Sequence, residues 1–267
     1  MVLSPPSLHA QEGLKARIKD LAGVEGVRDN MLVGYGLVVG LNNSGDDLTR
    51  DIFTRESLIG MLERLGVNAR TANDDMRTRN LAAVMVTAVL PPFSRQGSRI
   101  DVNVATMGDA TSMLGGTLLV TPLVGADGEV YAVAQGPVEV SGFAARGQAA
   151  SVTRGVPTAG RIASGAIVER EVGYEMANMT QVRLNLRNPD FTTAKRIAEA
   201  INSHTKENAA RSLDPATVQI NIPRRFQNNV VDLITEIETL SITRDHVAKV
   251  VIDEKSGVIV MCENVRI

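Results

Sequence analysis

The sequence predicts an α+β protein in two parts, and three observations carry that reading. Short β-branched or alternating runs, punctuated by Gly and Pro, fill most of residues 17–173, with a single helical pattern among them. Beyond residue 173 the order becomes β-α-β-α-β-β, with two amphipathic helices. Apolar residues make up 44% of the 267 positions and charged residues 22%, which provides for both a core and a solvated surface and excludes overall disorder. The expected organisation is a leader remnant or disordered tail over 1–16, a β-rich domain over 17–173 and a small α/β domain over 174–267.

Taken in order, Met31 to Leu41 reads as a Gly-containing strand buried on both faces, its glycines marking a bulge or close backbone approach. Asn42 to Asp47 is a turn cluster. A helix follows, with Thr54 as its N-cap and Leu58, Met61, Leu62 and Leu65 on one face. Gly66 stands where a left-handed C-cap belongs. Asn68 to Thr78 is a polar loop. Leu81 to Leu90 is a strand ended by Pro91-Pro92, and Ile100 to Ala105 alternates with period 2. Thr117 to Thr121 ends at Pro122, and Ala126-Asp-Gly128 turns the chain into Val130 to Ala134. Phe143 to Gly160 lacks apolar periodicity and reads as a long mobile loop. Arg161 to Glu171 returns to strand.

In the second part Gln181 to Leu186 alternates. Asp190 caps a helix with Ala194, Ile197, Ala198 and Ile201 inward. Thr217 to Ile222 alternates and stops at Pro223. Asn228 or Asn229 caps a helix that turns Val230, Leu233, Ile234, Ile237 and Leu240 inward. Ala248 to Ile252 and Gly257 to Met261 flank a hairpin signal. Two helices on one face of a small sheet is the economical packing.

Composition narrows the function. The net charge is -2, with no forced basic stripe, which argues against a nucleic-acid partner. There is no Trp, and Phe and Tyr are few, so aromatic stacking platforms are disfavoured. One cysteine, Cys262, excludes an internal disulfide and a Cys-based zinc site. Three scattered histidines disfavour a histidine metal site. No apolar run is long enough for a helical membrane span. The segment ending at Ala10 resembles the tail of a cleaved secretory leader or, equally, a disordered terminus.

The motifs point away from catalysis. Gly34-Tyr-Gly36-Leu-Val-Val-Gly40 lacks the glycine spacing and the directly following helix of a dinucleotide loop, and no phosphate-loop or nucleophile-elbow motif occurs. No cofactor is therefore expected. Asp46-Asp47 and Asp74-Asp75 are paired carboxylates, but both sit in predicted polar loops and read as turn residues. His246 reads as a surface or domain-interface histidine. Arg70, Arg77 and Arg79 form the nearest basic cluster, with Asp74 and Asp75 beside it. Taken alone they read as a solvated loop, though guanidinium groups suit an acidic partner.

An ordered series of stretches resembles the flagellar P-ring proteins. They are Arg17 to Leu21, Gly26 to Asn30, Leu32 to Leu41, Asn80 to Ala88, Leu90 to Phe93, Gly115 to Leu119, Gly160 to Ile162 and Ala166 to Arg170. The resemblance implies a non-enzymatic periplasmic subunit whose copies form a ring around the flagellar rod, as a bushing at the peptidoglycan level. It implies as partners the chain itself, the rod, the lipopolysaccharide-layer ring protein and peptidoglycan. It implies a cleaved leader, favouring cleavage after Ala10. Family members continue beyond Ile267, and Cys262 takes no disulfide role. Arg77 and Arg79 become the candidate rod-facing residues. The competing class is a cell-wall carbohydrate-binding protein or hydrolase, which would need a convergent acid pair in a deep pocket.

Overall fold

The computed structural model describes residues 15–64, 66, 78–141, 143–146, 151–174, 176, 179–227, 229–243, 250–254 and 257–261. The chain forms two compact units, one of residues 28–173 and one joining the segment up to Val27 with that from Tyr174 onward. The first elements, β1 (Lys15–Arg17), α1 (Ile18–Leu21) and β2 (Ala22–Val24), belong to the smaller unit. Residues 17–27, expected with the β-rich region, thus fall in the smaller unit.

The larger unit contains β3 (Asn30–Val39), α2 (Ile52–Arg64), β4 (Leu81–Leu90), β5 (Arg99–Thr106), β6 (Thr117–Val124), β7 (Val130–Pro137) and β8 (Glu139–Val140). It continues through β9 (Phe143–Arg146), β10 (Ser151–Arg154) and β11 (Ala159–Val168). The strands run β5-β4-β3-β6-β7-β11, and β11 pairs back onto β5, so six antiparallel strands close a barrel, with β8 added beside β11. Closure removes the free edges an open sheet would present. Alternation fills the interior. Ile100, Val102 and Val104 of β5 point inward with Leu32, Val84, Val86, Leu118 and Leu123, while Asp101 and Asn103 face out.

Closure also corrects β3. Rather than being buried on both faces, it exposes Met31, Val33 and Tyr35 on the outer wall. Burial on both sides begins only at Leu37 and Val38. Gly34 and Gly36 serve close approach as expected. A Cβ at either would collide with β6, at the Pro122 carbonyl oxygen and the Thr121 hydroxyl respectively. Here the β3–β6 ladder breaks between Val33↔Val124 and Val38↔Leu118. Pro122 lies opposite this break, so its missing N–H is tolerated and β6 runs on to Val124 instead of stopping.

Helix α2 starts earlier than predicted. The Asp51 carboxylate accepts the Thr54 amide at 3.3 Å, so Asp51 is the capping side chain and Thr54 lies inside the helix, fully buried. Ile59 is buried, and Leu58, Met61 and Leu62 only partly so; Leu65 lies outside the described residues. Gly66 has φ +84°, as its C-cap reading requires. Within 143–160, read as loop, β9 and β10 pair as an antiparallel hairpin and Ala159 opens β11. Small residues without an apolar rhythm hid these strands.

The smaller unit adds β12 (Gln181–Leu186), α3 (Phe191–Thr205), β13 (Ala210–Ser212), β14 (Thr217–Asn221), α4 (Val230–Thr239), β15 (Ser241–Thr243) and a hairpin of β16 (Val250–Asp253) with β17 (Val258–Met261). Its main sheet runs β13-β14-β12-β2, and β1 pairs with β15. The Asp190 carboxylate accepts the Thr193 amide at 2.6 Å, and Ala194, Ile197, Ala198 and Ile201 are buried, as read from the sequence. Asn229, the second of the two candidates, caps α4. Val182, Leu184 and Leu186 alternate into the same core as α3 and α4. Strand β13, which no alternation in the sequence marks, pairs with β14 on one side. Its partner in place of a further strand is Asn202, whose side chain both donates to the Ala210 carbonyl and accepts the Ala210 amide.

Candidate functional site

The richest polar constellation lies in the barrel unit, where the turn after β3, the start of α2, the start of β4 and the loop after β5 meet. Its root is Asp46, fully buried. One carboxylate oxygen accepts the Thr54 hydroxyl at 2.8 Å and the Ala83 amide at 2.7 Å, and the other accepts the Ala110 amide at 2.8 Å. Gly108 makes room for it, since a Cβ there would strike the carboxylates of Asp46 and Asp51. The expectation of a solvated turn residue is therefore overturned for Asp46. Three donors from three chain segments pay for its burial, and desolvation without them would be costly.

Asp47 keeps the turn role. Its Oδ1 accepts the amide and hydroxyl of Thr49, at 3.1 and 2.6 Å, and its own amide donates to Asp109 Oδ1 at 2.9 Å. Its Oδ2 accepts from Arg79 Nη2 at 2.8 Å. The Thr49 hydroxyl first, and the Arg79 guanidinium next, hold the Asp47 carboxyl well below the usual carboxylate range. In return the Asp47 carboxylate raises the Arg79 pKa. Two adjacent acids thus face different worlds, and they do not form an acid pair in a deep pocket. Asp46 is saturated by the chain's own donors, and Asp47 is bound to a cation.

Arg79 is thus placed at this corner, about half exposed, directly before β4. Ala10, Asp74, Asp75, Arg77, His246 and Cys262 lie outside the described residues. Among the described residues no group of three or more His, Cys, Asp and Glu side chains could hold a metal ion, and no helix is long and apolar enough to cross a membrane.

With this geometry in place, comparison with known sequences decides the family. The family described as flagellar P-ring protein matches residues 17–267. The chain belongs to the flagellar P-ring protein family. A flagellar P-ring protein of Paramagnetospirillum magneticum is 62% identical over 257 residues, covering 94% of this chain and 66% of that protein. Those of Rhodopseudomonas palustris and Nitrobacter hamburgensis are 59% and 61% identical over 252 residues, covering 94% of this chain and 67% of each relative. The chain thus spans about two thirds of the length of the curated relatives it matches. For a P-ring family member the noteworthy outcome is where Arg79 sits. Sequence reading grouped it with Arg70 and Arg77 in a loop. The fold instead ties it to Asp47 and brings Asp109 alongside, residues that no local spacing links to it.

Proposed function

We propose that this chain is a structural, non-catalytic subunit of the flagellar basal-body P ring, assembling with copies of itself in the periplasm around the rod as a bushing. The family match over residues 17–267 carries the reading. The lipopolysaccharide-layer ring protein and peptidoglycan are its further neighbours in this proposal, and Ala10 its leader cleavage position. A closed barrel suits the task, because it resists deformation and offers faces rather than sticky strand edges to its surroundings.

The corner at Arg79, together with Arg77 two residues earlier in the sequence, is the proposed rod-facing contact. Exposed ion pairs are individually worth about 0–1 kcal/mol, so many copies guide assembly around an acidic shaft without fixing its angle. Salt weakens such contacts. The experiment is the double reversal Arg77→Glu with Arg79→Glu, read as the fraction of purified basal bodies that carry the ring, with circular dichroism of the monomer as control. The expected result is a folded monomer and fewer rings. An unchanged ring fraction at low and moderate salt refutes the contact.

A further inference from the structure

Arg79 is not a free cation waiting for a partner. One guanidinium nitrogen donates to Asp47 Oδ2 at 2.8 Å, and Asp109 adds a second negative charge nearby. Asp47 itself cannot follow Arg79 outward. Its other oxygen is held twice by Thr49, and its amide is held by Asp109. Asp47 is also the more sheltered of the two, with 19% of its side chain exposed against 48% for Arg79. At rest the corner therefore shows an incoming acidic surface two carboxylates and one neutralised guanidinium. Repulsion acts first, and attraction only once Arg79 has turned away from Asp47. A single-bond, solvent-exposed pair opens readily and is screened by salt.

We infer that Asp47 masks Arg79, the pair forming an autoinhibitory contact that an acidic partner must open, so that Asp47 sets how strongly the corner attracts that partner. The inference rests on the reading of Arg79 as a partner contact, and it makes a prediction of sign. If Asp47 served to orient Arg79 for binding, removing its charge would weaken the contact. As a mask, removing its charge strengthens it.

The test uses the full chain carrying Asp47→Asn, Arg79→Gln or both, with immobilised poly-L-glutamate as the acidic probe. Ring fraction in purified basal bodies is the second readout. Asp47→Asn is expected to tighten binding by about two- to fivefold, the range an exposed ion pair can supply, and to steepen its dependence on salt. Arg79→Gln falls below the unmodified chain, and Asp47→Asn gains less in the Arg79→Gln background than in the unmodified chain, because relief of plain repulsion remains while the unmasking is lost; equal gains in the two backgrounds overturn the mask. Asp47→Ser, which keeps a hydroxyl to accept the Thr49 amide, must shift binding the same way as Asn, with thermal unfolding as the control on the fold. If Arg79→Gln changes neither readout, the partner-contact reading itself fails. If Arg79→Gln weakens binding while Asp47→Asn and Asp47→Ser weaken it or leave it unchanged, the mask is overturned and the contact stands.

Discussion

The carboxylate of Asp46 accepts the backbone amide of Ala83, 37 residues further along the chain, at 2.7 Å inside the barrel unit. With Thr54 and Ala110 on the same carboxylate, one side chain ties the start of α2, the start of β4 and the loop after β5. Asp46→Asn keeps the shape but turns an NH2 group toward a donor. The expected loss is about 2–3 kcal/mol, read as a lower urea midpoint with an unchanged slope. Asp47→Asn, at the exposed pair next door, is expected to move the midpoint far less.

Gly34 and Gly36 are required by contact with β6. A methyl group at Gly34 meets a backbone carbonyl, which cannot rotate out of the way. Gly34→Ala is therefore expected to destabilise the barrel by about 1–3 kcal/mol. Gly60→Ala, where nothing lies within 4 Å of the added carbon, is expected to be neutral or slightly stabilising. Thermal unfolding of the two variants side by side checks the contrast.

The cap of α3 gives a pH dependence. The Thr193 side chain, then its amide, lowers the pKa of Asp190 in the folded chain. The unfolded chain, with an ordinary value of about 3.9, takes up the proton first as pH falls. The stabilisation from Asp190 is thus fully present above that value and is lost as pH drops through the lower folded value. Asp190→Ala is expected to cost about 1 kcal/mol at neutral pH and progressively less as the pH falls below about 4, measured by urea unfolding across pH 2 to 7.

Among the described residues the hairpin of β9 and β10 pairs only with itself, and an isolated two-stranded hairpin is marginal in water. Amide hydrogen exchange on the monomer is expected to be fast in β9 and β10 and slow in β3, β4 and β5. Protection of the hairpin equal to that of the barrel strands would refute its being mobile before assembly.

Much of the fold was legible because its causes are local. Asp190 and the inward face at Ala194, Ile197, Ala198 and Ile201 lie within one helix, and their spacing states their role. The glycines of β3 announced a close approach, but not that Pro122 and Thr121 would be the neighbours. What stayed hidden was set by distant residues. Asp46 and Asp47 are adjacent and chemically identical. Only the folded positions of Ala83 and Ala110, 37 and 64 residues from Asp46, make one a buried tie and leave the other at the surface. The same holds for Arg79, whose carboxylate partner lies 32 residues earlier.

Strand β2 pairs with β12, and β1 pairs with β15, while the whole barrel lies between them in the chain. The barrel is thus an insertion within the smaller unit, and the two differ in how much of the chain each needs before it can form. Residues 28–173 hold every strand the barrel needs and can close without waiting for the rest of the chain. Residues 15–24 emerge earlier but stay without their sheet partners until β12 and β15 have followed. Joining segments so far apart carries a larger loop-closure cost than pairing neighbours. Completion of the smaller unit is then the later event in folding, because β1 and β2 wait for β15 and β12.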